Sequence, residues 1–184
     1  MIVAEEIEAR RLVFVDEMGA NTSLATLYAW ARRGKRARTK VPRNRGPNTT
    51  LLADITHEGM GPCVAVGDST TGEVFEAYIE QVFSKALEPG QVVVMDNLSA
   101  HKGSKIRELI EAQGCELLFL PPYSPDLNPI EEAFAKVKTL LRRAGVRTRE
   151  TLVEAMGRTL EAVTVRDARG FFEHCGYRAS VQAL

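Results

Sequence analysis

Hydrophobic residues fall along the chain in two different periods, and the switches between them mark out the elements. Arg11 to Asp16 (RLVFVD) is a short β-branched and aromatic run closed by an acid, which predicts a buried strand. A second apolar stretch around Leu24 to Trp30 leads into a strongly basic segment. Thr49 to Thr56 (TTLLADIT) and Pro62 to Gly67 (PCVAVG) flank His57-Glu58-Gly59-Met60-Gly61, a glycine-containing turn that predicts a hairpin. Three antiparallel strands are therefore expected at the start.

From Glu73 to Leu87 the apolar residues Val74, Phe75, Ala77, Tyr78, Val82 and Leu87 recur at helical spacing, and Pro89-Gly90 ends the run. Gln91 to Met95 (QVVVM) predicts another strand, closed by Asp96-Asn97. Lys102 to Gln113 predicts a helix with Gly114 as its stop, and Glu116 to Leu120 (ELLFL) a further strand. Pro121 to Leu127 is an extended loop, since its prolines remove donors and disfavour helix before them. A helix then begins with the stripe Ile130, Phe134, Val137 and Leu141. Thr148 to Ala162 and Val165 to Cys175 are two more helices. The fold class is α/β: a mixed sheet, made of an antiparallel meander of three strands plus two parallel strands, flanked by helices. No repeat or linker divides it, so residues 1–184 read as a single domain.

Composition narrows the function classes. At 184 residues the chain can bury roughly 70% of its unfolded surface, and its 45% hydrophobic and 26% charged residues exclude a disordered or collagen-like chain. Apolar runs such as Leu117 to Leu120 fall far short of the roughly 18 residues of a membrane span. The opening Met1 to Glu6 carries acid where a signal peptide carries positive charge, so a cytoplasmic location and no membrane partner are expected. Cys63, Cys115 and Cys175 show no Cys-x-x-Cys spacing and are expected as reduced, buried thiols. His57, His101 and His174 show no zinc spacing. P-loop, dinucleotide-binding and Gly-x-Ser-x-Gly patterns are absent.

The formal net charge is zero, yet no Asp or Glu lies between Glu17 and Asp54. Arg32, Arg33, Lys35, Arg36, Arg38, Lys40, Arg43 and Arg45 crowd that gap. They are eight of the 24 basic residues, so the rest of the chain carries 16 basic against 24 acidic. Interleaved with Gly34, Pro42, Gly46 and Pro47, the segment reads as a phosphate-seeking loop that binds DNA by releasing counterions. The plainer alternative is a solvated loop without a partner. Trp30 is either a stacking platform or a core residue.

Two predicted strands end in an aspartate, Asp16 and Asp96. If the strands are neighbours, both carboxylates emerge at one sheet edge, where α/β sheets gather ligands. There they repel unless one is protonated or a cation lies between them, and a hard, oxygen-seeking ion such as Mg²⁺ suits the pair. The bland reading is a turn start at Asp96-Asn97. A third candidate, Glu131, follows Asn128-Pro129-Ile130. Its spacing alone favours a capping box, with Asn128 as N-cap and Pro129 at the first helical position. The proline-stiffened loop before it would, however, fix that first-turn carboxylate against the sheet edge. Glu132 stands four residues before Lys136, the spacing of a helix-surface ion pair.

The runs Phe14-Val15-Asp16-Glu17, Val94-Met95-Asp96-Asn97 with His101-Lys102, and Pro122-Tyr123-Ser124-Pro125-Asp126-Leu127-Asn128-Pro129-Ile130-Glu131 together resemble the catalytic domain of a DDE transposase. The resemblance is to the mariner superfamily in its bacterial insertion-sequence (IS-six-thirty type) branch, over about Arg11 to Tyr177. The 34 residues between Asp96 and Glu131 are also the separation seen in that superfamily. The resemblance implies a ribonuclease H-like fold in which Asp16, Asp96 and Glu131 are catalytic and hold two Mg²⁺ ions, with Mn²⁺ able to substitute. It implies DNA strand cleavage and strand transfer, with transposon ends and target DNA as partners and a homodimer as the working state. Lys136, Lys138, Arg142 and Arg143 are either further phosphate contacts or a solvated helix end favoured by the dipole. Met18 departs from the family, where Thr or Ser follows the Asp-Glu pair. Only Met1 to Arg10 precede the first strand, so the amino-terminal helix-turn-helix of full-length relatives is expected to be absent and supplied, if at all, by a separately encoded subunit.

Rival readings are a decayed remnant that only binds DNA non-specifically, a structure-selective nuclease on the same fold, and an aspartyl-nucleophile phosphatase. The last wants a second Asp two residues after Asp16, where Met18 stands.

Overall fold

The computed structural model describes residues 7–38, 40–43, 46–98 and 103–178. Its centre is a six-stranded mixed sheet. β1 (Leu12–Ala20) lies in the middle, with β2 (Thr49–Thr56) antiparallel on one side and β5 (Val92–Met95) parallel on the other. β6 (Glu116–Phe119) continues the parallel half beyond β5. β3 (Gly59–Met60) and β4 (Val64–Gly67) both pair antiparallel with β2. The expected meander and parallel pair are thus present, with one addition: the turn over His57 to Gly61 contains β3, folded back on Ile55 and Thr56. β1 also runs further than its apolar core, because β2 pairs with it as far as Ala20.

Among the described residues five α-helices flank the sheet: α1 (Gly72–Tyr78), α2 (Ser104–Glu111), α3 (Pro129–Ala144), α4 (Arg149–Glu161) and α5 (Val165–His174). The helix expected from Glu73 to Leu87 is not uniform. It starts under a Thr71 cap as α1, widens to a π turn over Ile79–Phe83 and tightens to a 3₁₀ turn over Ser84–Ala86. α3 ends at Gly145, whose φ of 60° is left-handed and favours a residue without Cβ. Among the described residues none of the helices is long and apolar enough to cross a membrane.

Both faces of the sheet are covered, and this explains why its central strands read as continuous apolar runs rather than alternating ones. On one face Leu12, Phe14, Met18, Leu51, Val92 and Val94 pack beneath α3, α4 and α5. On the other, Val13, Val15, Leu52, Val93 and Met95 meet Phe75, Tyr78, Ile79, Phe83, Ile106 and Ile110. Each such large side chain stabilises the fold by about 1.5–3 kcal/mol when fully buried. Tyr28 and Trp30 lie outside this core and are exposed, so Trp30 is not a core residue. The cysteines are free; Cys115 and Cys175 are buried as expected, while Cys63 is exposed because it lies just before β4, outside both cores.

A buried carboxyl interrupts the second face. Asp54 lies opposite Val15 in the β1–β2 register and is only 3% exposed. It borders a small cavity of about 110 Å³ with Val13, Thr56, Phe83 and Gln91. Tyr78 donates to the Pro62 carbonyl at 2.8 Å, and its hydroxyl oxygen stands 3.5 Å from Asp54 Oδ1. A methyl group on Gly61 would come within 2.1 Å of Asp54 Oδ2, so Gly61 makes room for the carboxyl. Burial raises its pKa from 3.8 to about 7, against the smaller pull of Tyr78.

The folded protein therefore keeps this proton at pH values where the unfolded chain has lost it. The stabilising contribution is complete below about pH 4 and disappears as pH rises through about 7, at about 1.4 kcal/mol per pKa unit. Asp54→Asn keeps the shape and removes the titration. Thermal melts at pH 5 and pH 8 should show the variant gaining about 5 °C or more on the parent at the higher pH; parallel curves would contradict the assignment.

Candidate active site

The parallel register of β1 and β5 ends with Val15 opposite Met95. The next residue on each strand is an acid, Asp16 and Asp96. Facing residues of a parallel pair point to the same side, and neighbouring strands run about 4.8 Å apart, so the two carboxylates stand side by side at one sheet edge. Asp16 continues the row of Leu12 and Phe14 beneath α3 and is buried, whereas Asp96 is half-buried. Asp16 Oδ1 accepts from the Glu17 N–H at 2.7 Å and Oδ2 from Asn128 Nδ2 at 2.8 Å. Asp96 Oδ1 accepts from the Leu98 N–H at 3.1 Å, the local turn expected of Asp-Asn.

The third acid arrives from the start of α3. Beyond β6 the chain passes through Pro121 and Pro122 to Tyr123, whose φ of 56° is left-handed and whose ring is exposed. A 3₁₀ turn over Pro125–Leu127 then places Asn128 at the N-cap position with Pro129 first in the helix. The capping box expected there does not form: the Asn128 side chain makes no cap bond and turns inward to Asp16. α4 and α5 differ, since Thr148 with Thr151 and Thr164 with Asp167 close reciprocal boxes. Forgoing the cap costs about 1 kcal/mol. Asn128 Oδ1 is also buried without a hydrogen-bond partner, at a further cost of about 1–3 kcal/mol.

Glu131 is exposed at the cleft, while Glu132 points away from it to His174 Nδ1 on α5. The Glu132–Lys136 pair expected from spacing is replaced accordingly, because Lys136 bonds Asp167 at 2.6 Å. That Lys136 bond, together with Thr164, holds the Asp167 carboxyl down to about 2. The helix start is clasped from just beyond α5 as well: Tyr177 donates its hydroxyl to the Leu127 carbonyl at 2.8 Å, and its ring packs on Phe14 at 5.0 Å, two residues before Asp16.

Asp16, Asp96 and Glu131 thus line one cleft of about 360 Å³, with Asn128, Tyr123 and Leu98 among its other walls. Among the described residues no three His, Cys, Asp or Glu side chains stand close enough to enclose an ion, so the acids share the cleft without a closed coordination shell. Their donors are all oxygen, which fits a hard divalent cation, and the unpartnered Asn128 oxygen adds a further acceptor beside them. Nothing in the sequence around Asn128 distinguishes it from an ordinary cap. Its role is visible only once β1 and the start of α3 are brought together.

The basic segment stands apart from the cleft walls. Arg32, Arg33, Lys35, Arg36, Arg38, Lys40 and Arg43 are all exposed and none lines the cleft; Arg45, like His101 and Lys102, lies outside the described residues. The segment nonetheless leaves the sheet at Ala20, four residues beyond Asp16, and Arg147 anchors its base through the carbonyls of Thr22 and Leu24 at 3.3 and 3.1 Å. Arg142 and Arg143 close the last turn of α3, roughly 17 Å along the axis from Glu131.

A family model described as DDE superfamily endonuclease matches residues 11–153. Among solved structures, a Mos1 transposase paired-end complex with the left transposon end is similar at a TM-score of 0.72 and 18% identity, covering 91% of this chain and 53% of that one. A pre-cleavage Mos1 transpososome is similar at 0.67 and 15%, covering 96% and 58%. The catalytic domain of Mos1 mariner transposase alone gives 0.61 and 14%, covering 91% and 78%. The fold is that ribonuclease H-like one, and the chain spans little more than half the length of the transposases in the first two complexes. No curated protein matches it in sequence.

Tyr177→Phe keeps the aromatic packing and deletes only the bond to Leu127. It should lower stability by about 1 kcal/mol, or about 2–4 °C in melting temperature, while Tyr177→Ala should cost about 3–5 kcal/mol. Urea titration of the two variants checks this order.

Proposed function

The chain belongs to the DDE superfamily endonuclease family, and on that premise we propose that it is a transposase catalytic domain, cutting DNA and joining the freed strand to new DNA at the ends of a bacterial insertion sequence. The mariner superfamily in its insertion-sequence branch is the assignment we favour. The observation that carries it is the meeting of Asp16 on β1 and Asp96, the residue that follows β5, with Glu131 in one cleft.

In this reading the three carboxylates hold two divalent cations, Mg²⁺ or Mn²⁺. Solved Mos1 paired-end complexes with Mg and with Mn support that choice of ion. When bound, such ions lower the pKa of an attacking water or 3′-hydroxyl and neutralise charge on the leaving oxygen. The chain supplies the rest. Asp16 is held by the Glu17 N–H and Asn128, and Asp96 by the Leu98 N–H, so neither carboxylate has to reorganise when the phosphate arrives. Glu131 reaches the same cleft from the first turn of α3. One cleft serves both hydrolytic nicking and strand transfer, with water as the first nucleophile and the freed 3′ end as the second. Exposed cations from Arg32 to Arg43 hold phosphates and position the duplex without reading its sequence. The paired transposon ends of the Mos1 complexes favour a homodimer as the working state.

Two measurements test this reading. Mg²⁺-dependent nicking of supercoiled plasmid should fall at least about 1,000-fold in Asp96→Ala and in Asp16→Ala; equal nicking by parent and variants, or by neither, counts against it. Replacing Arg32, Arg33, Lys35 and Arg36 by Ala should flatten the dependence of log affinity on log salt by about 0.9 for each phosphate no longer neutralised, about 3–4 in all. Anisotropy titrations of a labelled duplex at several salt concentrations give that slope.

A further inference from the structure

We propose that Asn128 is a positioning residue for Asp16, fixing the plane of that carboxylate for cation binding while giving up the cap of its own helix; the inference rests on the function proposed above.

Asn128 stands where a cap is expected and Pro129 follows at the first helical position, yet the side chain caps nothing. It is 4% exposed and spans 112 residues of sequence to donate to Asp16 Oδ2. A carboxylate only accepts, so the amide must present its NH₂ to Asp16, and this leaves Oδ1 buried and unpartnered. Flipping the amide would set two oxygens against each other. Asp16 Oδ1 is meanwhile taken by the Glu17 N–H. Among the described residues the Glu17 N–H and the Asn128 amide thus donate to different oxygens of the carboxylate and set its plane, and a carboxylate oxygen can accept more than one bond. Among the described residues Asn128 holds the one buried, unpartnered side-chain oxygen that lines the cleft. A group placed only to stabilise the helix would have capped it, as Thr148 and Thr164 do. Hydrogen-bond partners behind metal-binding side chains orient them, and their loss commonly weakens metal binding 10–100-fold.

The test uses the full chain with Mn²⁺ as probe, read by calorimetric titration and by the melting temperature of the metal-free protein. Asn128→Ser can cap the helix but cannot reach Asp16; Asn128→Ala does neither. Both variants should bind Mn²⁺ about 10–100-fold more weakly, and the Ser variant should melt at or above the parent's temperature. The inference is overturned if both bind within about twofold of the parent. It is also overturned if weaker binding tracks a fall in melting temperature in both variants, because that is the signature of a merely structural tie. Asp16→Ala separates the two levels of the argument. If it abolishes Mn²⁺ binding while the Asn128 variants retain it, the positioning role alone fails. If Mn²⁺ binding survives Asp16→Ala, the catalytic reading fails and the positioning role with it.

Discussion

Two carboxyl groups brought to one cleft beside a buried parallel strand pair are the constraint around which this molecule is arranged. β1 and β5 are neighbours in parallel register up to Val15 and Met95, so the aspartates that follow this last pair start from adjacent positions. Repulsion between such groups is relieved by a proton, by a cation or by hydrogen-bond donors. Among the described residues, donors to the pair come from the backbone and from Asn128, and both acids line the cleft. The apolar core above β1 sets the other boundary, since Phe14, Phe172 and Tyr177 pack on one another close to Asp16.

Rigidity at the start of α3 follows from the same constraint. Its first turn must hold Glu131 at the cleft without an N-terminal cap, so the support comes from outside the helix: Tyr177 on the preceding turn, His174 on Glu132, and Asp16 itself on Asn128. The asymmetry between the capped helices α4 and α5 and the uncapped α3 shows a local rule yielding to a long-range contact, that of Asn128 with Asp16.

Much of this was legible in the sequence because burial on both faces makes a central strand uniformly apolar, and Leu12 to Val15 and Val92 to Met95 are such strands. The aspartates that close those runs were legible for the same reason, as the first polar residues after a buried stretch. What sequence could not reveal depended on long-range contact. Asn128 looks like a cap because its neighbours are those of a cap, and only the approach of β1 redirects it. Glu132 and Lys136 have the spacing of a pair, but α5 offers each a partner from another helix. β3 is two residues long, too short to impose a period on the sequence. The widening of the helix after Tyr78 carries no proline or glycine to announce it.

The position of β1 has a bearing on how the molecule comes into being. Its antiparallel partner is made within a few dozen residues, but its parallel partner, and then the clasp that secures Asp16, come from progressively later parts of the chain. Contacts so distant in sequence close slowly. A growing polypeptide therefore offers the open edge of β1 to its surroundings until β5 has left the ribosome. The three acids come to line one cleft only after the start of α3 has followed, so a synthesis cut short leaves the sheet without that cleft.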